Sequence, residues 1–286
     1  MQYGPAVRRR KLGAELRGLR ARAGLTSGQA AACVGWHQSK VSRIETGSSG
    51  VKPRDVGLLL DAYGIEDPEL RELLLVLAGS EDGDGRQNWW HAYRGVLPPA
   101  YRDFISLESQ ASGMRTLETS VVPGLLQTPD YARAVTRAAV GTLEDTQLDA
   151  LVEVRLARQE VLRADPPLRL SAVLDEAVLR RGVGGPRTMT RQLRRLLDAA
   201  RLPHVRLQVL PFAAGAHIGI TGPFVIFSFP SRSDLDVVVL DHLTSSLYLE
   251  RKEDLQAYCE AFDTLRIHAL SPEDTLDYIA ALAGDA

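Results

Sequence analysis

Apolar residues near the start of the chain recur at the spacing of an amphipathic helix. Leu12, Leu16 and Leu19 fall at i, i+4 and i+7, and arginines occupy the other side of the same segment. This pattern predicts a helix over residues 8–23 that ends at Gly24.

The following segment has the spacing of two short helices joined by a tight turn. Thr26 and Gln29 form a capping-box start for the first of them. Gly35 supplies the positive φ that the turn needs, and Ala31 is small enough to let two crossing helices touch. The apolar residues that anchor the second helix are Val41 and Ile44. These offsets predict a helix-turn-helix.

The outward positions of the second helix carry only hydrogen-bonding side chains, of the types that read base edges and hold phosphates. They are Gln38, Ser39, Lys40, Ser42 and Arg43. Trp36 in the turn has two interpretations, packing against the first helix or lying on a DNA backbone, and packing is favoured.

Two more helical patterns complete a predicted all-α module of about five helices. One starts at Pro53, and the other covers residues 68–78. The acidic, glycine-containing run after them has no apolar residue and predicts a linker. The predicted domains are therefore residues 1–78, a linker at 79–88, and a larger domain at 89–286.

The larger domain mixes helical and strand patterns, which predicts an α+β fold with a mixed or mainly antiparallel sheet. Predicted helices cover residues 98–117, 145–163, 175–182, 187–201, 252–267 and 272–283. Predicted strands cover residues 168–173, 205–210, 224–229, 236–240 and 246–249.

Composition excludes several classes of protein. The chain is 45% hydrophobic and 24% charged, which predicts a folded protein rather than a disordered one. Its two cysteines are far apart, so neither a disulfide framework nor a thiolate metal site is expected, and a cytoplasmic setting fits best. No apolar run approaches the roughly 18 to 20 residues that span a bilayer, so no membrane role is expected.

Charge is distributed very unevenly along the chain. Residues 1–54 carry eleven Lys and Arg against two acidic residues, whereas the rest has 23 basic and 34 acidic residues. A basic N-terminal segment on an acidic body is typical of a nucleic-acid-binding domain followed by a partner domain.

The segment from Ser27 to Gly47 resembles the Cro/C1-type (XRE) helix-turn-helix family, and the resemblance extends over about residues 8–78. It implies binding of double-stranded DNA. Matched position by position, it assigns base reading to Gln38, Ser39 and Arg43. It assigns phosphate contacts to Ser27, Lys40 and Ser42. The basic N-terminal arginines, among them Arg10, are further candidates for phosphate contacts. Proteins of this kind usually pair over two half-sites, so a homodimer is expected.

The larger domain offers candidate binding residues but few catalytic ones. Trp89 and Trp90 follow the linker, and His217 lies in a glycine-rich loop over residues 212–224, a kind of loop that often binds small molecules or peptides. The alternative is that the tryptophans are core residues and the loop is a simple turn. Motifs of nucleophilic, metal-dependent and phosphate-binding enzymes are absent from the sequence, so no cofactor, metal or catalytic residue is expected.

Arg155, Arg158 and Glu176 are further candidates for contacting a ligand or partner, and an ion pair is the simpler interpretation of these charged residues. Asp175 and Glu176 follow a predicted strand and could pair with Arg155 or Arg158, which the helical pattern places largely on the outside. Such a pair is interpreted as structural rather than as a proton-transfer site.

Several sequence segments of residues 89–286 resemble the C-terminal domain of actinobacterial Scr1-type, antitoxin-like transcriptional regulators. They include VPGLLQTPDYARA, RLARQ and LDEAVLRR. The resemblance implies a DNA-binding regulator whose C-terminal domain engages a small protein encoded nearby, and it leaves open a small-molecule effector. The first hypothesis is thus a sequence-specific transcriptional regulator. The alternatives are an antitoxin-like protein that neutralises a partner and uses DNA binding for autoregulation, and, less favoured, an enzyme.

Overall fold

A computed structural model describes residues 5–78, 89–93, 95–140, 144–229, 236–243 and 245–285. The chain divides into two compact units, Met1–His91 (unit 1) and Ala92–Ala286 (unit 2). The predicted linker at 79–88 lies outside the described residues.

The described part of unit 1 has five α-helices, as the sequence predicts. They are α1 (Pro5–Arg22), α2 (Ser27–Cys33), α3 (Gln38–Glu45), α4 (Pro53–Ala62) and α5 (Pro68–Ala78). The predicted apolar stripe of α1 is buried, since Leu12, Leu16 and Leu19 are at most 2% exposed. Gly13 lies against the end of α3, where a Cβ would stand 2.4 Å from the carbonyl oxygen of Ile44. The close approach of α1 to α3 therefore requires glycine there.

Unit 2 is an α+β domain around a six-stranded mixed sheet, in the order β3-β2-β1-β4-β5-β6. The strands are β1 (Gly113–Glu118), β2 (Arg169–Asp175), β3 (Val205–Leu210), β4 (Phe224–Ser228), β5 (Val237–Asp241) and β6 (Ser246–Leu249). Strands β1, β2 and β3 are parallel, and β4, β5 and β6 continue the sheet in antiparallel pairs.

Helices supply the crossovers that parallel strands need and cover both faces of the sheet. They are α6 (Pro99–Glu108), α7 (Pro129–Val140), α8 (Asp145–Ala157), α9 (Glu176–Arg180), α10 (Pro186–Ala199), α11 (Lys252–His268) and α12 (Pro272–Asp285). Side chains of α7, α10 and α12 share a core with one face, and Leu255, Phe262 and Leu265 of α11 share a core with the other.

One predicted helix is wrong in its second half. The sequence pattern extends a helix over 98–117, but α6 ends at Glu108 and Gly113–Glu118 forms β1. This strand pairs with β2 on one side and β4 on the other, so it lies inside the sheet. Pairing on both edges outweighs the local apolar spacing, which a single sequence segment does not reveal.

Candidate nucleic-acid interface and candidate sites of unit 2

Helices α2 and α3 form the predicted helix-turn-helix. Thr26 and Gln29 make both hydrogen bonds of a capping box, which fixes the start of α2. Gly35 has φ +68°, the conformation expected for the turn, and Trp36 donates its backbone N–H to the Ala31 carbonyl at 2.8 Å. These contacts fix the start of α2 and the turn between the two helices.

Helix α3 is divided into a buried and an exposed side. Val41 and Ile44 are at most 2% exposed and pack in the unit 1 core. The predicted outward residues Gln38, Ser39, Ser42 and Arg43 are exposed, and Lys40 is partly exposed. Their roles at bases and phosphates remain predictions.

Two exposed side chains of α3 are oriented by neighbours before any ligand binds. Gln38 Nε2 donates to Ser27 Oγ at 3.0 Å, so the first residues of α2 and α3 are linked. A side-chain amide has two N–H groups and a carbonyl oxygen, so this bond leaves the second N–H and Oε1 available. Arg43 Nε donates to the Ser39 carbonyl at 3.3 Å, which leaves its two terminal amino groups without a partner among the described residues.

Lys40 has partners inside unit 1 that the sequence does not reveal. Its Nζ lies 2.8 Å from Asp55 Oδ2 in the first turn of α4 and 3.5 Å from the ring centroid of Trp36. Trp36 packs against the unit 1 core, as predicted. The lysine is therefore shared between a carboxylate and an aromatic face rather than extended into solvent.

The C-terminal end of α3 is fixed by an ion pair that sequence reasoning missed. Arg20 donates from Nε and Nη2 to the two carboxylate oxygens of Glu45, and from Nη1 to the Leu25 carbonyl. Burial, with the nearby Glu45 carboxylate, raises the pKa of Tyr63 to about 12. No local sequence pattern points to this pair, because Arg20 and Glu45 are 25 positions apart.

Three predicted site residues lie next to segments, or have side chains, that the structure does not describe. Arg10 belongs to α1, but its side chain is outside the described part of the structure. Trp89 and Trp90 open a 3₁₀ helix over Trp89–Tyr93, with ring centroids 5.9 Å apart in an edge-to-face arrangement. Trp90 is 5% exposed.

The expected position and partners of Arg158 are wrong. Its side chain is buried, and Nε and Nη2 donate to the two carboxylate oxygens of Glu108 at 2.8 and 2.7 Å. The remaining guanidinium nitrogen, Nη1, donates to the Tyr101 hydroxyl. The helical pattern predicts an exposed arginine at this position. A charged side chain is buried only with a partner, and the long-range pair with Glu108 supplies that partner.

Arg155 also has a partner other than those expected. It donates to Gln127 Oε1 at 2.9 Å, and Gln127 in turn donates to the Val122 carbonyl. Gln159 Nε2 donates to the Gln127 carbonyl at 2.7 Å. The VPGLLQ and RLARQ sequence segments therefore meet in space, and their polar residues hold the turn that precedes α7.

Glu176 holds the loop that follows β3. Its Oε2 accepts the backbone N–H of Phe212 at 2.8 Å, and its other oxygen accepts from Arg180. Arg180 also donates to the Tyr278 hydroxyl at 2.8 Å, which ties the loop to α12. The predicted pairing of Glu176 with Arg155 or Arg158 is wrong, because the local i, i+4 partner Arg180 takes its carboxylate.

His217 and Asp175 come together near the carboxyl end of β2. His217 Nε2 lies 3.9 Å from Asp175 Oδ2, and its buried Nδ1 has no hydrogen-bond partner in the described residues. Glu118, at the carboxyl end of β1, was not identified from sequence. Burial raises its pKa to about 8, although the Thr116 hydroxyl acts in the opposite direction.

Neither a metal site nor a membrane-spanning helix is found among the described residues. Over the described ranges, no group of three or more His, Cys, Asp and Glu side chains is arranged to hold a metal ion. The helices described here include none that is both long and apolar enough to cross a membrane.

These features define a helix-turn-helix, DNA-binding regulator whose second unit is an α+β domain. A helix-turn-helix domain model matches residues 11–74. A model described as a domain of unknown function (DUF5753) matches residues 101–281, more than half of the chain, and the chain belongs to this family. No curated protein matches the chain, and no solved structure does.

Proposed function

We propose that this protein is a sequence-specific transcriptional regulator that reads DNA with the exposed side of α3. Gln38, Ser39 and Arg43 read base edges, and Ser27, Lys40, Ser42 and N-terminal arginines such as Arg10 contact phosphates. The observation that carries this proposal is the orientation of Gln38 by Ser27, with one amide N–H and Oε1 still available. Such a pair of groups matches the N6 and N7 positions of adenine in the major groove.

Arg43 supports the same proposal. Its guanidinium is held at Nε by the helix backbone and keeps its two terminal amino groups for a ligand. Arginine donates in this forked geometry to guanine O6 and N7. Gln38 and Arg43 lie at i and i+5 on α3, so they contact different base pairs.

We propose that unit 2 is a regulatory domain without enzymatic activity that responds to a small protein or a small molecule. Its separate core supports an independent domain. The engagement of Arg155 and Arg158 in internal contacts supports a structural rather than catalytic role for both residues.

The direct test is selection of sheared genomic DNA by the purified full-length protein, followed by sequencing. The comparison variant is Gln38→Ala/Arg43→Ala. A matched control is Gln147→Ala/Arg181→Ala, which removes the same residue types from exposed positions of unit 2. We expect a narrow set of enriched sites for the wild type and the control, and loss of that set in the comparison variant.

Two results would contradict the proposal. Enrichment of the same sites by the comparison variant would show that α3 does not read the bases. Absence of enrichment by the wild type would show that the chain alone is not a sequence-specific DNA-binding protein.

A further inference from the structure

The loop between β3 and β4 crosses the sheet at the carboxyl ends of its parallel strands. Strands β3 and β4 are separated in the sheet by β2 and β1, so residues 211–223, here named the crossover loop, must pass both. The contacts follow this path, since His217 lies beside Asp175 at the end of β2. Gly219 lies beside Leu117 near the end of β1, where a Cβ would be 2.7 Å from Leu117 Cδ2.

The crossover loop presents apolar side chains to solvent. Phe212, Ile218 and Ile220 are 58%, 52% and 72% exposed. They are three of the nine large apolar side chains found exposed among the described residues, within a span of nine positions. Clustering of exposed apolar side chains marks interaction surfaces, whereas isolated ones are ordinary.

Hydrogen bonds and glycine conformations keep the crossover loop in a defined shape. The backbone N–H of Phe212 is bound by Glu176, and Thr221 Oγ1 donates to the Ile218 carbonyl at 3.0 Å. Gly215 and Gly222 have φ of +69° and +119°, conformations that few other residues adopt. A surface that is already ordered loses less conformational entropy when it binds.

The chemistry of the loop favours a second copy of the chain as its occupant. Residues 207–231 contain no Asp, Glu, Lys or Arg, in a chain that is 24% charged. Residues close to the axis of a two-fold interface face their own copies, so charged side chains there meet like charge while uncharged ones do not. Discrimination of a different protein usually relies on charge complementarity, which this stretch of sequence does not offer.

We propose that the crossover loop is the apolar centre of a two-fold interface between two copies of this chain. This inference rests on the proposed function, because one recognition helix covers only a few base pairs and two are normally paired over two half-sites. Three side chains do not fill the roughly 800 Å² per partner of a standard interface, so they form its centre and neighbouring surface forms its rim.

The test is sedimentation equilibrium of the full-length protein without DNA, over a series of concentrations. The variant is Ile218→Asp/Ile220→Asp. The matched control is Leu243→Asp/Ile267→Asp, which changes two apolar residues of unit 2 that are 98% and 81% exposed. We expect the wild type and the control to reach the mass of two chains. The double variant should dissociate with a Kd raised about thirtyfold or more, as for a central interface residue.

A wild type that stays at the mass of one chain would overturn the inference, and so would an unchanged Kd in the double variant. If the double variant does not fold, amide hydrogen exchange of wild-type residues 212–222 gives the answer. Exchange there should slow as concentration drives dimerisation, and exchange independent of concentration would overturn the inference.

The measurement separates this inference from the proposed function. A wild type that is monomeric and still enriches specific DNA sites would leave the proposed function standing and remove the interface. A protein that dimerises through this loop but enriches no DNA site would support the interface and contradict the proposed function.

Discussion

Arg20 of α1 and Glu45 at the end of α3 form a two-pronged ion pair, with Nε–Oε1 and Nη2–Oε2 distances of 2.6 and 2.9 Å. The two side chains are 14% and 5% exposed. Because the pair is mostly buried, it fixes α3 relative to α1 at the same place where Gly13 allows their backbones to approach. The exposed side of α3 therefore depends on a contact on its buried side.

We predict that Arg20→Ala destabilises unit 1 by about 3 kcal/mol, because it leaves the Glu45 carboxylate buried without its partner. The control is Arg71→Ala, which breaks a pair with Asp61, a residue that is 64% exposed, and a hydrogen bond to the Ile65 carbonyl. Its cost should be smaller, about 1 to 2 kcal/mol, because the Asp61 carboxylate is left in solvent rather than buried. Hydrogen exchange by mass spectrometry measures the protection of each unit separately. Equal losses of protection in α3 for Arg20→Ala and Arg71→Ala would contradict the role given to the Arg20–Glu45 pair.

The Arg43 side chain yields a prediction about specificity. Arg43→Ala should weaken binding to the selected sites by about 1 to 3 kcal/mol and relax the preference at one base pair. Lys40→Ala should weaken binding to all sequences similarly, because a phosphate contact carries no sequence information. Quantitative binding to a set of singly substituted sites checks both. A uniform loss with Arg43→Ala would remove it from the base-reading residues.

The Lys40–Asp55 contact predicts that the protein restrains its own DNA affinity. Asp55 holds Nζ at 2.8 Å and adds a negative charge beside α3, the helix for which we propose phosphate contacts. A partly exposed ion pair of this kind contributes about 1 kcal/mol, so Asp55→Asn should raise affinity about fivefold for specific and non-specific DNA. The salt dependence should also steepen by about one counterion.

Asp61→Asn is the control for this change in net charge. Asp61 pairs with Arg71 on α5 rather than with a residue of α3. Asp61→Asn should therefore raise DNA affinity less than Asp55→Asn does. The long-range effect of its charge on DNA is screened within about 10 Å at ordinary salt. Equal gains in affinity for the two variants would show that net charge, and not release of Lys40, is responsible.

The sequence predicts the helix-turn-helix well because each of its requirements is local. Gly35 must adopt a positive φ, Thr26 and Gln29 must cap α2, and the apolar positions of α3 repeat within one helix. Each of these can be read within a few residues. The five helices of unit 1 and the exposed side of α3 follow directly.

The candidate sites of unit 2 depend instead on long-range contacts. Arg158 and Glu108 are fifty positions apart, and β1 becomes a strand through pairing with β2 and β4. Local periodicity contains no information on either relationship, so Arg158 is predicted outside and β1 is predicted helical. The glycine-rich loop with His217 could be found from sequence, but its exposed apolar side chains could not.

Glu118 lies at the carboxyl end of β1 and is partly buried. Burial raises the pKa of this carboxyl group in the folded protein from 4.5 to about 8. The unfolded chain therefore releases this proton at lower pH than the folded one. The stability that the neutral carboxyl contributes is present below pH 4.5 and is lost as the pH rises towards 8, by at most about 1.4 kcal/mol per pH unit.

Glu118→Gln should remove this dependence, since an amide keeps the neutral form at every pH. Thermal unfolding of unit 2 between pH 5 and 8 checks the prediction, with wild type losing stability more steeply than the variant. Glu160→Gln, at a carboxylate that is 66% exposed, is the control for removing one acidic group. Parallel pH profiles for wild type and Glu118→Gln would show that the folded structure keeps Glu118 ionised near neutral pH, with Arg155 and Arg158 as the compensating charges.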